Sequence, residues 1–104
     1  MDMMELEQVL TSHISGARSA ELTTKFGLVE RLIEALAGMR GMIAALDKEQ
    51  VLQLLGDLYD NWIAPLDLPG IPNLVEPQID KMLKNVLMAI VERVIDRAKE
   101  HAGE

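Results

Sequence analysis

Histidine and glutamate side chains are the first groups of this chain that could bind a metal ion or transfer a proton. The two histidines are His13 and His101. Carboxylate-bridged metal sites in helical bundles use Glu-x-x-His pairs, and the sequence contains none. Glu30 and Glu34 stand one helical turn apart, but Arg31 is adjacent and the pair falls on the polar side of its helix. We therefore interpret all four as surface side chains.

A second group of oxygen donors lies around residues 57–67. Asp57, Asp60, Asn61 and Asp67 could together hold calcium or magnesium, which prefer oxygen ligands. Their spacing does not reproduce a calcium loop, in which alternate donors surround a glycine. Surface carboxylates are the favoured interpretation, and whether they bind a cation stays open at this point.

Nucleophilic and phosphate-binding chemistry finds little support in the sequence. Ser12, Ser15 and Ser19 fall near predicted helix ends, and no glycine-flanked nucleophile elbow surrounds any of them. The glycines of the run 38–41 lie inside helical periodicity with no preceding strand, unlike a phosphate loop. We therefore predict no enzyme activity, no catalytic residue, no cofactor and no metal. A carboxylate-based metal enzyme is the third-ranked alternative.

Charge and composition narrow the class of partner. The chain of 104 residues carries 17 acids, 10 bases and a formal charge of −7. Residues 1–76 hold 12 acids and 5 bases, whereas residues 77–104 hold five of each, so the whole imbalance precedes the last helix. An acidic chain lacks the basic surface that nucleic acid or an anionic membrane requires. Without cysteine, a basic leader or a long apolar run, a cytoplasmic protein with no membrane span is predicted.

Helical periodicity predicts an all-α fold. Apolar residues recur every three or four positions, except where the four prolines cluster. The prediction is a single domain over 1–104, a bundle of about four helices, two of them long, with a rigid proline-rich connector before the last helix. The helices are placed near 3–15, 20–46, 48–63 and 77–100, and the connector at 64–76.

Local signals set several of these boundaries. Asp47 and Gln50 have the spacing of a capping box, so the third helix begins there. Any bend in the second helix is expected between Gly38 and Gly41, because glycine is a poor helix former. Pro77 is expected in the first position of the last helix.

The connector is predicted to pack along a helix and not to form a solvated linker. Pro69-Gly70 matches a type II turn, and apolar residues alternate with the prolines. Tyr59 and Trp62, three residues apart on one predicted helical face, precede it and are residue types common at interfaces, although a core role for Trp62 is the alternative. The candidate partner-binding residues are Tyr59, Trp62, Ile63, Leu66, Leu68 and Ile71.

Small residues form a second candidate contact. Ala37, Gly41 and Ala45 recur every four positions, which would let another helix approach closely. The alternative is that they merely tolerate solvent.

The last helix motivates the functional hypothesis. Two apolar columns run along it, beginning Ile79-Leu83-Val86-Ile90 and Leu87-Val91-Val94-Ala98. Its Asp80 and Lys84 are spaced for a favourable pair within the helix. Such wide apolar faces on a short chain favour a structural or interaction protein that associates with itself, as a homodimer or a higher oligomer. The alternative is a binding adaptor or chaperone-like regulator that holds a basic or amphipathic partner helix.

Overall fold

The computed structural model describes residues 2–14, 22–66, 72 and 74–102, with side-chain surroundings in the second range from Lys25 onward. Within these ranges every regular element is a helix, so the predicted all-α class is confirmed. Among these residues four α-helices are long, a fifth is a single turn, and there is one π-helix. The elements are α1 (Met3–Ile14), α2 (Leu22–Gly38), α3 (Arg40–Ile43), α4 (Lys48–Leu58), a π-helix (Tyr59–Ile63) and α5 (Glu76–Ala102).

Helix α1 follows from an N-terminal cap and a narrow apolar row. The Asp2 carboxylate accepts the backbone N–H of Glu5 at 2.8 Å, which satisfies one of the free donors of the first turn. Leu6, Leu10 and Ile14 recur every four residues and are buried. The row packs α1 against α2 and α4. Ser15 and Ser19, which fall near the predicted helix ends, lie outside the described residues.

The predicted continuous helix over 20–46 is wrong, because it breaks at Met39. Met39 has φ −111° and ψ 23°, and its N–H bonds to Leu36 O at 3.0 Å, a three-residue turn rather than an α-helical one. Gly38 directly precedes the break. Glycine is a poor helix former, so interrupting the helix there costs less free energy than at most other residues. The new direction buries Ile43 completely and brings α3 against α5. The break falls in the interval where the sequence predicted a bend.

The helical segment from Lys48 to Ile63 has the predicted bounds, but its last five residues form a π-helix. The Asp47 carboxylate accepts the Gln50 backbone N–H at 3.1 Å, which confirms the predicted cap. The last turn is not α-helical, because Ala64 N donates to Tyr59 O at 2.8 Å, five residues back. This wider turn leaves both Tyr59 and Ile63 buried. The chain then leaves the helix at Pro65, which has no N–H to continue it.

Helix α5 is the central element of the fold, since α2, α3 and α4 all contact it. It begins at Glu76, one residue before the predicted start, so Pro77 still lies in the first turn where no N–H partner is needed. One side of α5 is buried, comprising Leu83, Leu87, Val91, Ile95 and Ala98. No described helix is both long and apolar enough to cross a bilayer.

The relative directions of the helices follow from contacts between their ends. Lys25 near the start of α2 bonds to Asp80 near the start of α5, so these two helices run parallel. Lys48 at the start of α4 bonds to Asp96 late in α5, so α4 runs antiparallel to α5. Six of the thirteen residues of the predicted proline connector, 67–71 and 73, lie outside the described residues.

Candidate functional site

A row of apolar side chains on α5 is exposed to solvent. Met82, Val86 and Ile90 recur every four residues and keep 55%, 46% and 36% of their surface exposed. We call these three residues the α5 ridge. The described residues therefore pack against another side of α5 and leave the α5 ridge open. The helix α4 packs elsewhere, against the side that carries Lys84 and Met88.

Helix α2 runs beside the ridge and extends its apolar surface. Phe26 on α2 is 43% exposed, and Ala37 lies three turns further along the same side of that helix. Ala37 lines a surface groove of about 340 Å³ with Ile90 and Val94 of α5. Since Ile90 belongs both to this groove and to the α5 ridge, the two form one continuous apolar strip. We call this depression the α2–α5 groove.

Three arginines surround the groove. Arg40, Arg93 and Arg97 line it together with the three apolar residues, and all three are exposed. None of them forms an ion pair or a side-chain hydrogen bond within the described part of the chain. One end of the apolar strip is therefore basic, although the protein as a whole carries −7. This local reversal of charge bears on what can dock there.

The predicted partner-binding residues do not share one surface. Tyr59 and Ile63 are buried in the core, Leu66 is half-buried, and Trp62 is 42% exposed. The prediction that Tyr59 and Trp62 share a face assumed α-helical geometry, and the wider π-turn rotates them apart. Leu68 and Ile71 lie outside the described residues. Trp62 is thus the most accessible of the described candidates.

The small-residue column is interrupted by the break at Met39. Ala37 ends up half-buried in α2, whereas Gly41 and Ala45 are exposed in and after α3. No heavy atom of the described residues lies within 4 Å of where a Gly41 Cβ would be. Close packing of another helix against these three residues stays a prediction.

A buried polar network at the start of α5 escaped the sequence analysis. Lys25 has no exposed surface, and its Nζ donates to Asp80 Oδ1 at 2.8 Å and to Ala64 O at 3.3 Å. Tyr59 Oη donates to the same Asp80 oxygen at 2.7 Å. The network joins α2, the π-helix and α5. The sequence signal for this network is the position of Lys25. It lies in the apolar row of its helix, four residues before Val29 and seven before Leu32.

The predicted ion pair between Asp80 and Lys84 is wrong. Asp80 is occupied by Lys25 and Tyr59, and Lys84 instead pairs with Asp60 at 2.8 Å.

Burial, and after it the hydrogen bond to Asp80, raises the pKa of Tyr59 above its ordinary value. The phenol is therefore held protonated as a donor.

Surface ion pairs fasten α4 to α5 on the side away from the ridge. Lys48 lies 2.8 Å from Asp96 and 3.2 Å from Glu92. Hydrogen bonds to these two carboxylates raise the pKa of Lys48, with Asp96 the larger cause. With Lys84 and Asp60 these pairs define the orientation of α4, and they leave the α5 ridge uncovered.

The candidate metal donors are spread over the surface. His13, Glu30, Glu34, Asp57 and Asn61 are all exposed. Among the described residues, no group of three or more histidine or carboxylate side chains is placed to hold a metal ion. Asp67 lies outside those residues.

Comparison of the chain with protein-family models, with curated proteins and with solved structures gives no match. The geometry above is therefore the basis for assigning a function.

Proposed function

We propose that this chain is a helical interaction protein that associates with itself through the α5 ridge. The observation that supports the proposal is the regular exposure of Met82, Val86 and Ile90 on a helix that also carries the buried row from Leu83 to Ala98. Contiguous exposed apolar surface marks contact sites on small proteins. A homodimer is the simplest assembly that covers it, because one surface can then meet its own copy.

The size of the ridge limits the strength of this association. Full burial of a Val, Ile or Met side chain contributes about 1.5–3 kcal/mol, and these side chains are already half covered. Six of them, three from each copy, would contribute roughly 5–8 kcal/mol before an association cost of at least 4 kcal/mol. Phe26 beside the ridge adds further area. The ridge itself therefore leaves at most about 4 kcal/mol, a dissociation constant of about 1 mM, and burial of Phe26 from both copies would lower the constant into the submillimolar range.

The mass of the protein in solution tests the proposal. Sedimentation equilibrium from micromolar to millimolar concentration should show a mass rising above the 11.6 kDa of one chain. A mass that stays at 11.6 kDa over this range would falsify it. In this proposal the protein acts by contact with another protein surface and catalyses no reaction.

An adaptor that holds an amphipathic helix is the second candidate, and the exposure of Trp62 is the observation in its favour. Trp62 is the single tryptophan of the chain, so its fluorescence reports on this position alone. Titration with a basic amphipathic peptide should shift the emission to the blue if the peptide covers Trp62. An unchanged spectrum at saturating peptide would remove this candidate.

A further inference from the structure

We propose that the second copy docks antiparallel on the α5 ridge, with Val86 at the two-fold axis. This inference rests on the proposed self-association and adds its geometry. Met82 of each copy then lies against Ile90 of the other, and the two Val86 side chains meet at the centre. The ridge is suited to this, because Met82 and Ile90 are each four residues from Val86. A two-fold contact requires such self-complementarity.

The distribution of charge favours the antiparallel over the parallel arrangement. In a parallel pair, Arg93 and Arg97 of one copy would lie beside the same residues of the other. These arginines have no counter-charge within the described part of the chain, so like charges would meet uncompensated. Arg40 lines the same groove and would add to the repulsion.

The antiparallel arrangement separates the arginines. Arg93 is seven residues from Val86, so the two copies of Arg93 would be roughly 20 Å apart at 1.5 Å per residue. That distance exceeds the Debye length of about 8–10 Å at physiological salt. Arg93 and Arg97 of one copy instead approach the first turns of the other α5, which carry Glu76 and Lys81 and so no excess of positive charge.

The shape of the strip favours a helix over a small apolar anion as its occupant. A bound small molecule commonly has 70–90% of its surface buried in a concave pocket. The α2–α5 groove, about 340 Å³, opens at Ile90 onto an exposed row of side chains. From Met82 to Ile90 the row spans about 12 Å, two turns of a helix. Such a row matches the side chains of another amphipathic helix.

Cysteine cross-linking tests the geometry directly, because the chain has no cysteine of its own. Three single variants, M82C, V86C and I90C, place one thiol each on the ridge, and N85C places one on the exposed surface beside it. A disulfide needs Cα atoms within about 7 Å. In the antiparallel pair the Val86 positions meet, whereas the two Met82 positions are about 12 Å apart along the helix.

The expected pattern under mild oxidation is specific. V86C alone forms a covalent dimer, and an equimolar mixture of M82C and I90C forms a mixed dimer. M82C alone, I90C alone and N85C alone stay at least tenfold less cross-linked than V86C. Each fraction is read by non-reducing gel and by mass spectrometry.

Other patterns would overturn the inference in distinguishable ways. Self-cross-linking of M82C and of I90C, with an unchanged dimer mass, would show the parallel arrangement. A dimer mass with no cross-link at any ridge position would place the contact on another surface; self-association would survive, but its assignment to the α5 ridge would not. A single-chain mass at millimolar concentration would remove both the association and its geometry. Binding of a short-chain fatty acid to protein that stays a single chain at millimolar concentration would identify a small-molecule site instead.

Discussion

Lys25 Nζ lies 2.8 Å from Asp80 Oδ1, and the lysine has no exposed surface at all. The pair joins the beginnings of two parallel helices, α2 and α5. Tyr59 donates to the same oxygen from the π-helix, and Lys25 also donates to Ala64 O at the end of that helix. A single carboxylate therefore fixes three segments at the end of the bundle from which the α5 ridge begins.

Removing the charge of Asp80 should destabilise the protein. In the variant D80N, Lys25 stays buried without a counter-charge, and breaking a buried pair costs about 3–5 kcal/mol. The Asp80 side chain is 20% exposed, so water reduces the loss to roughly 2–4 kcal/mol. Urea unfolding followed by circular dichroism measures it.

The double variant K25M/D80N is the matched control for that loss. It removes the buried charge as well and should recover part of the stability, because the methionine fills a similar volume without needing a partner. If D80N and wild type unfold at the same urea concentration, the network is not a source of stability.

Stability should fall in alkali because of Tyr59. The folded state holds the phenol protonated, since burial and Asp80 raise the pKa of Tyr59, whereas an unfolded tyrosine titrates near 10. Above about pH 10 the unfolded state alone loses this proton, so the free energy of unfolding falls by up to about 1.4 kcal/mol per pH unit. Below pH 10 this contribution is fully present.

The variant Y59F isolates this effect from the titration of the lysines. Its unfolding free energy should depend less steeply on pH above about 10 than that of the wild type. Tyr59 is the single tyrosine, so absorbance of tyrosinate at alkaline pH follows this group alone. Tyrosinate absorbance that appears near pH 10 while the protein is still folded would contradict the buried hydrogen bond.

Local features of the sequence predicted where most of the helices lie. The spacing of Leu6, Leu10 and Ile14 predicts α1, and Asp47 with Gln50 predicts the start of α4. These signals act within one or two turns, so a single sequence contains them. The break at Met39 was predicted only as a possible bend near Gly38, because glycine lowers the cost of a break without requiring one.

Contacts between distant segments were not predictable in the same way. Helical spacing predicts a pair of Asp80 with Lys84, whereas the folded chain brings Lys25 to Asp80 from 55 residues away. The π-turn after Leu58 has no local signature either, and it decides that Tyr59 is buried and Trp62 exposed. The α5 ridge was predicted only in part. The sequence placed Val86 and Ile90 in one apolar column with Leu83, whereas in the folded chain Leu83 is buried and the other two are exposed.

A charge on the ridge should weaken self-association without unfolding the protein. V86E places a carboxylate at the centre of the proposed contact, where burial of an unpaired charge costs several kcal/mol. Because Val86 is 46% exposed in one chain, the stability of the subunit should change by less than about 1 kcal/mol. The dissociation constant should rise at least tenfold in sedimentation equilibrium.

The variant N85E is the control for this experiment. Asn85 is exposed on the neighbouring position of α5, off the ridge, and N85E introduces the same charge. Its association should match that of the wild type. Equal weakening by V86E and N85E would mean that net charge, rather than the ridge, governs association.

Two glycine substitutions distinguish the ridge from the small-residue column as the contact surface. Gly27 lies inside α2 and Gly41 inside α3, and neither has a heavy atom of the described residues within 4 Å of an added Cβ. Alanine is the better helix former, so G27A should stabilise the subunit by about 0.5–1 kcal/mol. G41A should also be neutral or stabilising, because the added methyl meets open space in one subunit. Urea unfolding measures both.

The same two variants should leave self-association unchanged if the α5 ridge carries it. The break at Met39 separates Ala37 from Gly41 and Ala45, so the continuous small-residue row that close helix packing needs is interrupted. Sedimentation equilibrium of G41A against G27A compares a methyl on that row with a methyl away from it. A loss of association in G41A alone would show that the contact lies on the small-residue column and not on the α5 ridge. A single methyl group can disturb a contact only where another backbone packs directly against the glycine.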